Sequence, residues 1–254
     1  MTFNIEAFSE RFDHSAMLAG FRRELITSVQ GMAVAGFTKC VESGDEGGGR
    51  PWVYISAGVH GDEPAGPMAM LALLKEGVFD ERANWLMCPF VNPLGLAAGT
   101  RENASGIDLN RDYLERSSEE VQAHAAWLES KPVPDLFVSL HEDWESSGFY
   151  LYEINVAGVT SGAHAILDAA SSEIPPEPEP VIDDHEVREP GWIDHSPKAD
   201  LPKHWPEAIF LAERGAGVSY TLETPSSLDL IRRIRCHQLA AGQALDGFLA
   251  SVTA

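Results

Sequence analysis

His60 and Glu63 stand three residues apart in the segment GVHGDEPAG (58–66), directly after the apolar run WVYISA (52–57). That run, with β-branched and aromatic residues, reads as a buried strand. Open α/β sheets gather their ligands at the carboxyl ends of strands. Imidazole nitrogen and carboxylate oxygen are two of the donors that Zn²⁺ accepts. His141 follows LFVSL (136–140) in the same way, so a third donor belongs at a second strand end. Two histidines and one carboxylate leave a tetrahedral position open, which marks a catalytic rather than a structural zinc site. The metal would make water acidic enough to act as hydroxide near neutral pH. Spacing alone also permits the plainer reading of three unrelated polar residues at loop starts.

Further residues suit hydrolytic chemistry. Arg101 and Arg111 lie in the loop GTRENASGIDLNRD (99–112), in a chain with 18 basic residues against 39 acidic ones. Guanidinium groups grip carboxylates bidentately and stabilise oxyanions, although a lone arginine more often balances local acids. Asn110 is a neutral donor beside Arg111. Glu223 ends the run VSYTLE (218–223), where a carboxylate could take a proton from a metal-bound water and pass it to a leaving amine.

The elements that must position these groups are strands at 52–57, 85–91, 135–140, 149–154 and 218–223. Helices are expected at 64–75, from the Ser117/Glu120 capping-box spacing to about 130, at 161–173, at 207–213 and at 228–252. In the last of these, Ile231, Ile234, Ala241, Leu245 and Phe248 form an apolar stripe. Residues 21–29 are read as a helix, 32–41 as an early strand, 43–50 as a turn and 95–112 as a long ordered loop. Residues 175–206 carry eight prolines among many acids, and long segments of this kind are often functional. Alternating strands and helices give an α/β fold: a single domain over 1–254 with a mostly parallel mixed central sheet, flanked by helices on both faces.

The formal net charge of −21 argues against nucleic acid and against anionic membrane surfaces as partners. No stretch approaches the apolar length of a membrane span. Cys40, Cys88 and Cys236 are too few and too scattered for a disulfide framework or a Cys-rich zinc site. A cytoplasmic protein is the expectation, with its oligomeric state open. His124, His164 and His237 fall on helices, His14 near the N-terminus, and His185, His195 and His204 in the acidic Pro-rich segment. The run Asp183-Asp184-His185-Glu186 could bind a second metal, but a solvated loop is its ordinary reading. Glu142 and Asp143 read as local surroundings of His141.

Together these motifs resemble the zinc carboxypeptidase superfamily, meaning the metallocarboxypeptidases and the related succinylglutamate desuccinylase/aspartoacylase group. The order is the same: HGDE at 60–63, Asn92-Pro93-Leu94-Gly95, Arg101, Asp108-Leu109-Asn110-Arg111, His141 and Glu223. The resemblance implies that His60, Glu63 and His141 hold one zinc per chain and that Glu223 is the general base and acid. It also implies that Arg101 polarises the scissile carbonyl while Asn110 and Arg111 bind a terminal carboxylate. Asp108 would accept a hydrogen bond from His60 and fix its tautomer. The implied activity is hydrolysis of an amide bond next to a free carboxylate, by a carboxypeptidase or peptide amidase acting on small peptides. An N-acyl-amino-acid deacylase is the alternative, and a non-catalytic metal- or peptide-binding protein the third. The stretch after Glu223 has room for one helix only, which favours the peptidase branch. The loop 99–112 is similar to that of bacterial murein-peptide amidases. The mobile tyrosine of many carboxypeptidases has no counterpart in 200–209, where His204 and Trp205 are the nearest polar-tipped residues.

Overall fold

The computed structural model describes residues 3–41 and 49–252. The chain opens with α1 (Ile5–Leu18), β1 (Arg22–Val29), β2 (Met32–Lys39), β3 (Trp52–Ala57), α2 (Ala65–Glu76) and β4 (Asn84–Cys88). There follow α3 (Pro93–Ala98), a 3-10 turn (Leu109–Arg111), α4 (Glu119–Glu129), β5 (Leu136–Asp143), β6 (Tyr150–Asn155) and α5 (Ala163–Ser171). Short strands β7 (Val181–Ile182), β8 (His185–Glu186) and β9 (Trp192–Asp194) cross the Pro-rich segment, before α6 (Glu207–Glu213), β10 (Val218–Pro225) and α7 (Leu230–Val252). No helix among the described residues is long and apolar enough to cross a membrane.

Eight strands form one sheet in the order β1-β2-β4-β3-β5-β10-β6-β9. The inner four, β4, β3, β5 and β10, are mutually parallel. Antiparallel pairing brings β1 and β2 to one side and β6 to the other, with β9 parallel to β6. The α/β reading with a mixed sheet and a parallel centre is therefore correct. After β3 the chain crosses by α2 to β4 on one side, and β5 then pairs on the other side of β3. The crevice between the carboxyl ends of β3 and β5 is thus a topological switch point, where such sheets bind ligands.

Strand alternation divides the core. Val53, Ile55, Leu136, Val138 and Leu140 pack under α1, α2, α5 and α7. Tyr54, Phe137 and Leu86 pack with Val121, Trp127, Phe210 and Leu211 of α4 and α6. Side chains of successive strand residues point to opposite faces. His141, one residue after Leu140, consequently lies on the α4/α6 side. Glu142 turns to the other, where it accepts from the Ala65 backbone N–H at 2.7 Å and from Arg233 of α7.

Several local expectations need correction. Residues 22–29 are a strand rather than a helix, joined to β2 through Gln30 and Gly31, both at positive φ (49° and 87°). That conformation suits a tight hairpin turn, and hairpin pairing overrides the weak helical pattern. The preceding α1 was not anticipated. Its N-cap is Asn4, whose side chain accepts from the Ala7 N–H at 3.0 Å. The cap of α4 is Ser118 rather than Ser117, since it is the Ser118 hydroxyl that accepts from the Val121 N–H, at 3.3 Å. The 95–112 loop contains most of α3 and the 3-10 turn. The inward stripe of α7 is Cys236, Ala240, Ala241, Ala244, Leu245 and Leu249, while Ile231 is 59% exposed. Of the turn read at 43–50, residues 43–48 lie outside the described residues.

Candidate metal centre

The β3–α2 loop carries His60 and Glu63, and two close backbone approaches hold its shape. A Cβ on Gly61 would come within 1.9 Å of the Gly95 carbonyl carbon, so the loop lies directly on α3. Asn92 caps that helix through its side-chain oxygen, which accepts from the Gly95 N–H at 2.9 Å. A Cβ on Gly95 would in turn strike the Asn92 amide. The two motifs HGDE and Asn92-Pro93-Leu94-Gly95 are therefore one contact.

At the crevice, His60, Glu63 and His141 are all buried, and their donor atoms lie within 4.8 Å of one another. His60 Nδ1 is 2.6 Å from Glu63 Oε1, and His141 Nδ1 is 3.0 Å from Glu63 Oε2. That second oxygen is buried and makes no hydrogen bond of sound geometry. A buried carboxylate oxygen left so is costly unless something positive meets it. Two imidazole nitrogens and a carboxylate form the donor set of an open zinc site, and the unsatisfied oxygen fits a cation among them. His60 Nε2 reaches Asp108 Oδ1 at 3.1 Å. This histidine–carboxylate pairing turns Nδ1 toward the cluster and fixes the tautomer that a metal needs.

The cluster is electrostatically tight. Burial opposes charge on His60, but Glu63 and the hydrogen bonds to Asp108 and Glu63 outweigh it and raise its pKa to about 9. Burial would lift the Glu63 carboxyl, yet His60 and His141 hold it well below the usual range. Burial, only partly offset by Glu63, pushes His141 down. Arg101 donates to Asp108 through Nε at 3.1 Å, and its Nη1 lies 3.7 Å from Glu63.

Glu223 pairs with His141 on the parallel side of β10 and with Tyr150 on the antiparallel side. Burial, followed by repulsion from Glu63 and Asp143, pushes the Glu223 carboxyl well up, with Arg101 opposing. His60, Glu63, Arg101, Arg111, His141 and Glu223 line one cleft of about 860 Å³. Arg111 donates to the Asn110 carbonyl oxygen at 2.9 Å. No carboxylate among the described residues pairs with it. In a chain of net charge −21, a guanidinium facing a cleft without an ion-pair partner has the chemistry to grip an anion. Asn110 is buried beside it, and its side-chain oxygen accepts from the Glu207 N–H at 3.0 Å.

Some of the cleft lay beyond sequence reasoning. Tyr150 and Tyr152 line it, with the Tyr150 hydroxyl donating to Asp143 at 3.2 Å. The strand reading at 149–154 placed Tyr150 in a strand, but only the β6–β10 register puts it opposite Glu223. His204 also lines the cleft, whereas Trp205 packs into the core beside Ile209 and Phe210. Glu207 is fully buried at the cleft's inner end, accepting from Tyr54 at 2.8 Å and Ser56 at 2.7 Å. Burial pushes its pKa up to about 7 against those two hydrogen bonds. His124, also buried, lies behind it at 3.0 Å from the Tyr54 hydroxyl.

Residues 50–175 match the succinylglutamate desuccinylase/aspartoacylase catalytic domain. Carboxypeptidase 2 of Trichophyton rubrum is 30% identical over 154 residues, which is 49% of this chain but 28% of the fungal protein's length. The crystal structure of a candidate metallopeptidase from Shewanella denitrificans OS217 superposes with a TM-score of 0.83 at 27% identity, covering 96% of this chain and 90% of that one. A metallo-carboxypeptidase from Burkholderia cenocepacia, at 17% identity and a TM-score of 0.69, covers 100% of this chain and 70% of its own, and shares the fold.

Proposed function

Because this chain belongs to the zinc carboxypeptidase-like superfamily, we propose that it is a zinc-dependent hydrolase cleaving an amide bond next to a free carboxylate, acting on small peptides. The observation that carries the reading is the convergence, in one cleft, of the His60–Glu63–His141 donor set, the Glu223 carboxylate and the unpaired Arg111 guanidinium.

In this reading Arg111, with Asn110 beside it, seats the substrate's terminal carboxylate and so fixes which amide faces His60, Glu63 and His141. One zinc ion held by those three residues would supply Lewis-acid polarisation and a water acidic enough to react near neutral pH. Asp108 holds His60 in its ligating tautomer. Arg101, on the rim of the donor set, steadies the negative charge that develops on the carbonyl oxygen. Glu223 accepts the proton of the attacking water at a carboxylate oxygen and delivers it to the leaving nitrogen. The free cysteines Cys40, Cys88 and Cys236 suit a reducing compartment such as the cytoplasm.

Deacylation of an N-acyl amino acid is the second reading, favoured by the match of residues 50–175 to the desuccinylase/aspartoacylase catalytic domain. Both substrates present a free carboxylate to Arg111, so the geometry of that seat serves either. A panel of short peptides set against N-acetyl and N-succinyl amino acids separates them. Release of C-terminal residues from peptides is the expected result, and turnover of the acylated amino acids alone would overturn the peptidase reading.

A further inference from the structure

We infer that the acidic Pro-rich segment holds a second transition-metal site, formed by His185, His195 and Asp200. The site is separate from the His60–Glu63–His141 set and does not depend on the function proposed for it. The donor atoms of these three residues lie within 4.8 Å of one another. Asp200 Oδ2 is 3.1 Å from His195 Nε2 and 3.5 Å from His185 Nε2. Tetrahedral zinc with bonds of about 2.0–2.1 Å sets its ligand atoms about 3.3 Å apart, close to the two separations from Asp200.

The tautomer of His195 points the same way. Its Nδ1 lies 2.5 Å from the Ser196 carbonyl oxygen, and a carbonyl only accepts, so the ring hydrogen is on Nδ1. With that hydrogen on Nδ1, it is Nε2 that faces the Asp200 carboxylate oxygen, at 3.1 Å. A nitrogen and a carboxylate oxygen at this distance are bridged either by a proton or by a metal ion, and the nearby His185 Nε2, 3.5 Å from the same oxygen, supplies the further donor that a metal ion uses. A backbone carbonyl that orients the ring in this manner is a common support for a metal-binding histidine.

The ring of His195 is well enclosed, with 9% of its side chain exposed, while Asp200 is 63% exposed. Tyr152 meets both imidazoles edge-on, with centroids at 5.7 and 5.9 Å, and fixes their mutual tilt. Its hydroxyl donates to Asp183 at 2.8 Å, and Asp183 is not among the converging donors. Of the run 183–186, only His185 therefore contributes, and its partners come from ten and fifteen residues further on. Two imidazoles with one carboxylate favour zinc, cobalt, nickel or copper over magnesium or calcium. An ion there would tie β8 to the segment following β9, and so pin one wall of the cleft.

The test uses the full-length chain, stripped with a chelator and titrated with zinc sulfate alone, with bound zinc counted by elemental analysis and calorimetry. The wild-type chain should take two equivalents, and Asp200→Asn and His185→Gln one each. The His60→Ala/His141→Ala double variant should keep one equivalent, which adding His195→Gln removes. Asp200 is exposed enough for its variant to fold, and circular dichroism checks this for each protein. A single equivalent in the wild type that Asp200→Asn retains would overturn the site, leaving only a proton shared between His195 and Asp200. Two equivalents surviving in both Asp200→Asn and His185→Gln would also overturn it. A single equivalent lost in Asp200→Asn but kept in the His60/His141 double variant would instead overturn the first site and uphold this one.

Discussion

Glu223 stands directly opposite His141 in the parallel pairing of β10 with β5. Neighbouring strands lie about 4.8 Å apart and register partners share a face, so the ladder itself delivers a carboxylate beside the proposed metal ligand His141. A slip of one residue would turn Glu223 to the opposite face, toward α7. Glu223→Gln keeps the size of the side chain and removes its ability to accept the proton. Turnover should fall by about 10²- to 10⁴-fold with the zinc content unchanged. Hydrolysis that survives at the wild-type rate would remove Glu223 from the role of base.

Glu63 and Asp108 raise the pKa of His60 to about 9 against the effect of burial, so a proton competes for its ring. Zinc binding must displace it, so affinity should weaken as pH falls below that value and uptake should release protons. Calorimetry in buffers of different ionisation enthalpy measures this directly. Asp108→Ala removes the carboxylate that orients His60 and should weaken zinc binding by about 10- to 100-fold. An unchanged affinity would show that the ring is oriented by other means.

Arg111 makes no ion pair with a carboxylate of the described residues, although its charge is felt by Asp108. Arg111→Ala should raise KM for substrates with a free terminal carboxylate by about 10- to 100-fold, the loss of a charge-assisted hydrogen bond. Substrates whose terminus is amidated should be poor for the wild type and little altered by the change. Equal effects on both substrate types would place the carboxylate elsewhere.

Gly61 lies where a Cβ would strike the backbone of Gly95 at 1.9 Å. Neither backbone can yield without moving His60 or the α3 cap. Gly61→Ala should therefore cost at least about 2 kcal/mol and lower zinc content as well, read by thermal unfolding and elemental analysis. Retention of both would mean that the loop can rise from α3 without disturbing the donors.

Glu207 is fully buried, and its pKa of about 7 stands above the 4.5 of an ordinary glutamate. Between those values the folded protein keeps a proton that the unfolded chain gives up. The stability tied to this group is fully present below about pH 4.5 and is lost as pH rises through about 7. Burial of His124 and His237 acts in the opposite sense, since each is pushed down to about 3. The difference between the wild type and Glu207→Gln isolates the term, on the order of 3 kcal/mol across this window. Parallel unfolding curves for the two proteins at pH 5 and pH 8 would rule it out.

Much of this molecule is legible in the chain because its main signals are local. Apolar runs at 52–57, 136–140 and 218–222, short and rich in β-branched and aromatic residues, read as buried strands. A polar residue at or just beyond the end of such a run emerges at the strand's carboxyl end: His60 three residues after β3, and His141 and Glu223 in the last residues of β5 and β10. The proline and glycine punctuation around Asn92-Pro93 likewise announces a turn. The first hairpin was misread because RRELITSV carries no clean alternation, and its form is set by pairing with β2 rather than by its own pattern. Other relationships depend on distance in space between residues far apart in sequence. Which strands neighbour β10 and in what register decides that Glu223 stands between His141 and Tyr150. The packing of α6 decides that Glu207 is buried behind the cleft, and the crossing of β9 beside β6 decides that His195 meets His185 and Asp200. The sequence by itself determined the donor types and the strand ends that present them, because strand alternation and chain direction are properties of the local chain. Only the tertiary structure decided which donors share a centre, because register and strand order are settled by burying side chains that no local pattern relates.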